Sequence, residues 1–387
     1  QAQVDAVYGK IKPHAKIQAD FDARQITFTV DKVIGRERIA VRGKVKNYMG
    51  KPDILLDVSS RELNLDYLAA MGAALPHKGK PAGQQRPVSA RAKTAIAASL
   101  PPGLYLHGVI RINKALYKKL TINNFVLPYK LRDGVLTVRG LAMKVAGGGI
   151  NSNMRLDLRL PEPAYKGDLQ VQAVRLNALG RGLGYDIANI ITGQLKANLN
   201  FGGAGFEPVV IKKTMSARAD FALTDGRIKK NKVAELAAAL VGLPELANIA
   251  FKDLSGNVLV KDGRVVFSCV LHNDDLSVST AGGSVDMAGR LNMPLAIKLS
   301  PTLTKKMRAG GLGKFLADGQ GNTRLNLRVS GSYERPQVTL DRKFIRKQVQ
   351  RVVKKQLMRR IEKALLNKNS RKQSAPAVQL LRGLFGQ

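Results

Sequence analysis

The fold class predicted by this sequence is mostly β: a long, curved antiparallel sheet of repeated hairpins, forming a groove or an open β-sandwich. A few short helices and a basic carboxy-terminal helix accompany it. Three observations predict this. Apolar and polar residues alternate over one run after another, the two-residue period of a strand with one apolar face. Asp-Gly pairs, a hairpin turn signal, recur between or near such runs at Asp133-Gly134, Asp225-Gly226 and Asp262-Gly263. The strand–helix–strand rhythm of a parallel α/β sheet is missing.

From the amino terminus, residues 17–58 carry IQADFDARQITFTV, RIAVRGKVKN and PDILLDVSS, which predict three strands. ELNLDYLAAMGAAL (62–75), rich in Leu and Ala, predicts a short helix. PHKGKPAGQQRPVSARAK (76–93) is polar and full of breakers, the composition of a mobile, exposed linker. The chain thus divides into an amino-terminal β-rich part (1–75), a polar linker or loop (76–94), the main antiparallel β-region (95–340) and a basic helical tail (341–387).

Within the main region, LTINNFVLPYKLRDGVLTVRGLAMKV places Leu120 and Ile122 on one face. The alternation slips at Asn123-Asn124, resumes through Phe125, Leu127, Tyr129 and Leu131, and returns with Leu136 and Val138 after the turn. In NMRLDLRL, Met154, Leu156, Leu158 and Leu160 point one way, while Arg155, Asp157 and Arg159 point the other. DLQVQAVRLNALG predicts a strand running into a short turn or helix. GQLKANLNF presents Leu195, Ala197, Leu199 and Phe201 on one face. SARADFALTDGRIKK and GNVLVKDGRVVFSCVLHNDDLSVST predict further hairpins. Cys269 shares its period with Val265, Phe267 and Leu271 and is read as a buried structural thiol. KVAELAAALVGLPELANI is helical until Gly242-Leu243-Pro244 breaks it. Two last strand-rich segments follow, and the second places Leu325, Leu327 and Val329 in step.

The net charge of +36 over 387 residues predicts attraction to a polyanion: nucleic acid, an anionic membrane surface or an acidic glycolipid. A single cysteine excludes an intrachain disulfide and a Cys-rich zinc site. No phosphate-binding loop, dinucleotide fingerprint or HExxH occurs. The Gly-rich AGGGI and FGGAGF predict turns or close backbone approach. His272-Asn273-Asp274-Asp275 is read as an Asx-type turn rather than a metal or acid–base cluster. The expectation is therefore a non-enzymatic protein without metal or cofactor. Aromatic residues make up 5% of the chain, too few for many base-stacking platforms, and nucleic acid is not the expected partner.

The chain opens on Gln, with no signal peptide and no apolar run near membrane-spanning length, as expected of a mature or truncated piece. DRKFIRKQVQRVVKKQLMRRIEKALLNKNSRK (341–372) contains thirteen Lys/Arg and two acids with apolar residues at helical spacing. Arg346, Lys347, Arg351, Lys354, Lys355, Arg359, Arg360 and Lys363 are its candidate contacts with an anionic membrane surface. A solvated face that only solubilises the chain is the alternative.

The order of these features resembles the carboxy-terminal region of AsmA-like proteins. The strand Leu120–Leu127, the Asp133-Gly134 turn, the glycines 147–149 and the strand Met154–Leu160 follow the family's pattern. So do GDLQVQAVRLNALGRGLG, ITGQLKANLNFGGAG, ALTDGRIKK and LRVSGSYERPQVTLD, with Gly331 and Pro336 in the closing strand. The likeness covers residues 95–340 well and 1–75 more loosely. It implies a periplasmic envelope protein, anchored to the inner membrane by a segment absent from this chain. It also implies kinship with bridge-like lipid transfer proteins and a part in outer-membrane biogenesis and lipid homeostasis.

The implied function is binding or conducting phospholipid, or another amphiphile, along an apolar β-groove, with other envelope proteins as further partners. The groove candidates are Leu120, Ile122, Phe125, Leu127, Leu136, Val138, Met154, Leu156, Leu158, Leu160, Leu195, Leu199, Phe201, Val265, Phe267, Leu271, Leu325, Leu327 and Val329. Two alternatives stay open: a structural envelope scaffold whose apolar face is an ordinary core, and a polyanion- or nucleic-acid-binding module. Period-2 patterning shows that a face is apolar, not what touches it.

Overall fold

The computed structural model describes residues 2–5, 14–21, 23–34, 37–67, 96–229, 231–307, 317–318 and 320–341, with single positions at 346 and 358. The predicted linker and the predicted basic helix lie outside the described residues, apart from the exposed Arg346 and Met358.

Eighteen strands form one sheet. The first nine are β1 (Ala2–Asp5), β2 (His14–Asp20), β3 (Gln25–Ile34), β4 (Glu37–Lys46), β5 (Asp53–Asn64), β6 (Tyr105–Tyr117), β7 (Leu120–Arg132), β8 (Val135–Val145) and β9 (Gly148–Asp157). The others are β10 (Ala164–Arg175), β11 (Ile191–Ala204), β12 (Ser216–Ile228), β13 (Ile249–Lys261), β14 (Arg264–His272), β15 (Leu276–Asp286), β16 (Arg290–Leu299), β17 (Thr323–Ser332) and β18 (Pro336–Leu340). The registers join each strand to the next in chain order. No register joins β18 back to β1 among the described residues, so the sheet is open.

Every pairing is antiparallel except β5–β6, which is parallel. A parallel pair needs a long crossover to bring the chain back to the same end. Residues 65–104, which include the predicted linker, make that connection.

Local chemistry decides most boundaries. Asp133-Gly134 and Asp262-Gly263 both have positive φ, the conformation of a tight hairpin turn that Asp and Gly tolerate, and they join β7 to β8 and β13 to β14. Asp225-Gly226 is a correction: Asp225 has φ 51°, but the pair lies inside β12 and its register with β13 continues. One left-handed residue there kinks the strand instead of reversing it. The predicted slip in β7 is present, with Asn124 at φ 52° and a register shift after Asn123. Three further boundaries differ from expectation. IQADFDARQITFTV is two strands, split by a turn at Phe21–Arg24. Glu62–Asn64 extend β5, so the predicted helix begins only at Leu65–Tyr67, and its residues 68–75 lie outside the described residues. β9 ends at Asp157, so Leu158 and Leu160 lie in the following turn.

Short helices fill several connections: α1 (Leu176–Leu183), α2 (Ile187–Ile190), α3 (Pro208–Thr214), α4 (Lys232–Val241) and α5 (Pro301–Lys306). The Asn231 side chain caps α4 by accepting from the Val233 and Ala234 amides, and Gly242 ends it in the left-handed conformation. Because each strand pairs with its sequence neighbour, the connections fall on two rims. α1, α2, α4 and α5 all lie on one, the helix rim. The tight turns Asp133-Gly134 and Asp262-Gly263 lie on the other, the turn rim, together with α3.

Helix α4 reveals the curvature. Ala237, Ala238 and Val241 pack in one cluster with Leu223 of β12, Leu254 of β13, Leu271 of β14 and Leu327 of β17, flanked by Val338 and Leu340 of β18. The Lys232 ammonium donates to the Glu334 carbonyl at 2.8 Å, beside β18. Six strand spacings from β12 to β18 would span about 29 Å if flat. Ten helical residues span about 15 Å. The sheet therefore curls around the helix.

Candidate functional site

The registers align one apolar face across the sheet. Near the turn rim a row runs Ile54, Leu106, Leu131, Leu136, Leu156 and Tyr165 over β5 to β10. A second continues Phe201, Ala217, Val260, Val265, Val285 and Leu291 over β11 to β16. Near the helix rim a third runs Leu195, Leu223, Leu254, Leu271, Val278, Ile297 and Leu325. Alternation within each strand keeps the charged residues on the opposite face.

Most of the residues singled out by sequence fall on this face. They are Leu120, Ile122, Phe125 and Leu127 in β7, Leu136 and Val138 in β8, Met154 and Leu156 in β9, and Leu195, Leu199 and Phe201 in β11. Val265, Phe267 and Leu271 in β14 and Leu325, Leu327 and Val329 in β17 complete the set. Leu158 and Leu160 are off the face, and Leu160 is exposed in the turn rim.

What covers the face differs along the sheet. Leu271, Leu325, Leu327 and Val329 are sealed, and Leu243, Leu246 and Leu303 from the helix-rim connections cluster with the row near the helix rim. Leu120 is also buried, close beneath Gly182 of α1. Leu127, Leu136, Met154, Leu156, Leu199, Phe201, Val265 and Phe267 are only half-buried, and they belong to the half of the sheet nearer the turn rim. A second small cluster, Leu63, Ile112 and Ala115, lies on neighbouring strands, with Leu65 from the helical stretch after β5 packed against it.

Among the described residues no α-helix covers this half of the curled face, which forms an open trough although Leu131 and Val138 within it are buried. Aromatic rings lie over glycines directly across from them, Phe28 on Gly43 and Tyr165 on Gly203, and a β-carbon at Gly43 would fall 2.0 Å from the Phe28 ring. Such pairs fill the space a missing side chain leaves and smooth the wall. Few polar groups interrupt it. The Tyr129 hydroxyl donates to the Leu56 carbonyl at 2.7 Å, and burial, then the Asp57 charge, push its pKa up. Cys269 faces Gly256 half-buried rather than sealed, and burial pushes its thiol up as well.

The turn rim is amphipathic. Phe21, Met49, Leu160, Phe206, Val209, Met287 and Tyr333 are exposed there. Arg24, Lys51, Arg159, Lys212, Arg290 and Arg335 stand exposed among them. Neither this lip nor the set of strands that α4 seals was read from sequence, although the helix itself was. The lip's signal was one large apolar residue in each of several turns, where polar residues are the rule.

No group of three or more His, Cys, Asp or Glu side chains able to hold a metal occurs among the described residues. Asn273 forms the expected Asx turn, its side-chain oxygen accepting from the Asp275 and Leu276 amides. No helix among the described residues is long and apolar enough to cross a membrane.

An open antiparallel sheet with one unbroken apolar face, partly helix-covered and partly bare, defines a class of elongated β-trough proteins. Within that class the chain belongs to the AsmA family, whose model matches residues 13–268. Neither the curated proteins nor the solved structures include a match to this chain. Family membership supports an association with the bacterial envelope.

Proposed function

We propose that the protein is a non-enzymatic periplasmic module that binds, and passes along its length, phospholipid or a similar amphiphile. The observation that carries this reading is the apolar face left half-bare along the turn rim. Apolar surface on this scale, continuous and rimmed by cations, is what an amphiphile would cover. From β5 to β11 the strand spacings add to about 29 Å. One leaflet of a bilayer core is about 15 Å thick, so an acyl chain laid across the strands fits within this stretch. The exposed cations of the turn rim stand where an anionic headgroup would emerge. Family membership suggests inner-membrane attachment and a part in outer-membrane biogenesis.

A structural role is favoured locally by the sealed rows of β12–β18, where the same face is consumed as core. One experiment weighs the two. The purified chain is extracted with organic solvent and the extract analysed by mass spectrometry, beside a variant with Leu156→Arg in the trough. Co-purifying amphiphile in the parent, depleted in the variant, is expected. Recovery of none, with no protection of a fluorescent acyl probe, would leave the scaffold reading standing.

A further inference from the structure

The opposite, outward face of the sheet carries a recess of about 960 Å³ near the turn rim of β5–β9. Its existence has a backbone cause. The β7–β8 and β8–β9 registers both shift here, at Val126/Tyr129 and Arg139/Leu141. On its other side β5 and β6 do not pair at Leu56 and Asp57, and the Val109 amide donates to the Asp57 carboxylate at 2.9 Å instead. Bulged strands bend away from the sheet plane and leave a hollow.

The lining sorts by chemistry. Leu55, Val109, Pro128 and Val135 give an apolar floor, and the Tyr105 ring stacks on His107 with centroids 4.6 Å apart. One cross-strand row runs His107, Lys130, Thr137 and Arg155, with Arg139 two residues beyond Thr137 on the same face. The Thr137 side chain thus sits between two cations, with a third beside it.

The acids nearby are largely occupied. Asp157 takes a hydrogen bond from the Arg159 Nε at 2.8 Å, and Arg159 holds its carboxyl at about 2. Asp53 pairs with His107 at 3.1 Å, Asp57 accepts from Val109, and Asp133 lies 3.7 Å from Arg132. Lys130 and Arg139 have no ion-pair partner among the described residues. Arg155 also has no ion-pair partner among the described residues, and Asp157, whose charge it feels, is already held by Arg159. Like charges gathered on neighbouring strands oppose the fold, and an anion between them would remove that opposition.

We infer that this outward recess is a binding site for an organic phosphate. The phosphate is held by Lys130, Arg139 and Arg155 beside the Thr137 hydroxyl, and its apolar or planar part lies on Leu55, Val109 and the Tyr105–His107 pair. Guanidinium groups suit phosphate oxygens because they donate in a planar fork. The site is on the face opposite the trough, so it stands whether or not the trough carries lipid. A free phosphate compound and a phospholipid headgroup share this chemistry.

Isothermal titration at physiological salt separates the sources. Inorganic pyrophosphate, dihexanoyl phosphatidic acid and dihexanoyl phosphatidylcholine are titrated into three proteins. These are the parent, the Arg139→Gln/Arg155→Gln variant, and a Lys196→Gln/Arg218→Gln variant of equal charge, also on the outward face but away from the recess. The recess pair should weaken anion binding about tenfold or more, and the control pair should leave it unchanged. Binding of both anions supports recognition of free phosphate, and binding of phosphatidic acid alone supports a headgroup. Equal weakening in both variants, binding of neither anion, or phosphatidic acid binding indifferent to the recess pair would overturn the site. Thermal unfolding checks each fold, and if the double variant fails, Arg139→Gln alone is read the same way.

Discussion

Strands β7–β9 and strands β12–β14 carry the same two-residue alternation, yet their apolar faces meet different fates. In β12–β14, Leu223, Leu254 and Leu271 are pressed against α4 and the turn that follows it. In β7–β9, Leu127, Leu136 and Leu156 lie half-bare, with no helix laid over them among the described residues. The difference comes from the connections, not from the strands. Lys232–Val241 is long enough to strap one side of the curl to the other, and its small residues Ala237 and Ala238 let it lie close. The β6–β7, β7–β8 and β8–β9 connections are two-residue turns with no helix to offer. Whether a strand face becomes core or surface is thus decided by the loops.

The largest expected effect tests that contrast directly. Leu243→Ala, at a side chain with 0% exposure, should cost about 2–5 kcal/mol in urea denaturation. Leu156→Ala should cost well under half of that, because the site is already partly hydrated, and should instead reduce bound amphiphile. Equal losses would show the β7–β9 face to be sealed as well.

A smaller change should loosen the strap alone. Asn231→Ala removes the cap of α4 and is expected to lower stability by about 1 kcal/mol. Hydrogen exchange should speed up in α4 and the strands beneath it more than in β7–β9. Uniform acceleration would mean that the two regions unfold as one.

Thr323 offers an effect of opposite sign. It is fully buried in the sealed region, and its hydroxyl has no hydrogen-bond partner among the described residues. Burying an unpaired hydroxyl costs about 1–3 kcal/mol, so Thr323→Val, of similar shape, should raise the unfolding midpoint. A lowered midpoint would show that the hydroxyl is in fact satisfied.

The smallest effect lies at the turn rim of the open region. Arg159 lowers the Asp157 pKa to about 2, first through its side-chain hydrogen bond and then through its backbone amide. A carboxylate with a depressed folded pKa contributes stability that is complete above its unfolded value. That contribution is lost as pH falls from the ordinary carboxylate range through about 2. The group is exposed, so only a slight acid-side change is expected. Carboxyl carbon shifts followed by NMR should place the midpoint near 2 in the parent and higher in Arg159→Gln, still below the ordinary range because the backbone amide of residue 159 remains.

Much of this was legible in sequence because a strand's period is a local property. Met154 and Leu156 declared their face against Arg155 and Asp157, and Asn123-Asn124 announced the slip in β7. Asp225-Gly226 misled because the same dipeptide suits a tight turn and a kink within a strand, and only the partner's register tells them apart. KVAELAAAL was recognisable as a helix, but the strands it would cover depend on how far the sheet curls. The organic-phosphate recess was out of reach for a similar reason. Lys130, Thr137 and Arg139 sit at unremarked outward positions, Arg155 was read only as one charge on an outward face, and only the cross-strand register sets the four side by side.

The in-order pairing of the strands also bears on how the molecule assembles. Apart from the β5–β6 junction and the α4 strap, each strand needs only the strand made just before it. Assembly can advance hairpin by hairpin from either end, as in solenoid repeats, with little loop-closure entropy at each step. The long crossover between β5 and β6 must close a far larger loop before it gains a contact. It is where such progress should pause, dividing the chain into an earlier and a later folding segment. Pulse-labelled exchange during refolding should protect β6–β9 before the β5–β6 pair, and simultaneous protection would remove the pause. A chain built this way can also gain or lose terminal hairpins without rethreading the rest, so its length is free to change while its cross-section stays the same.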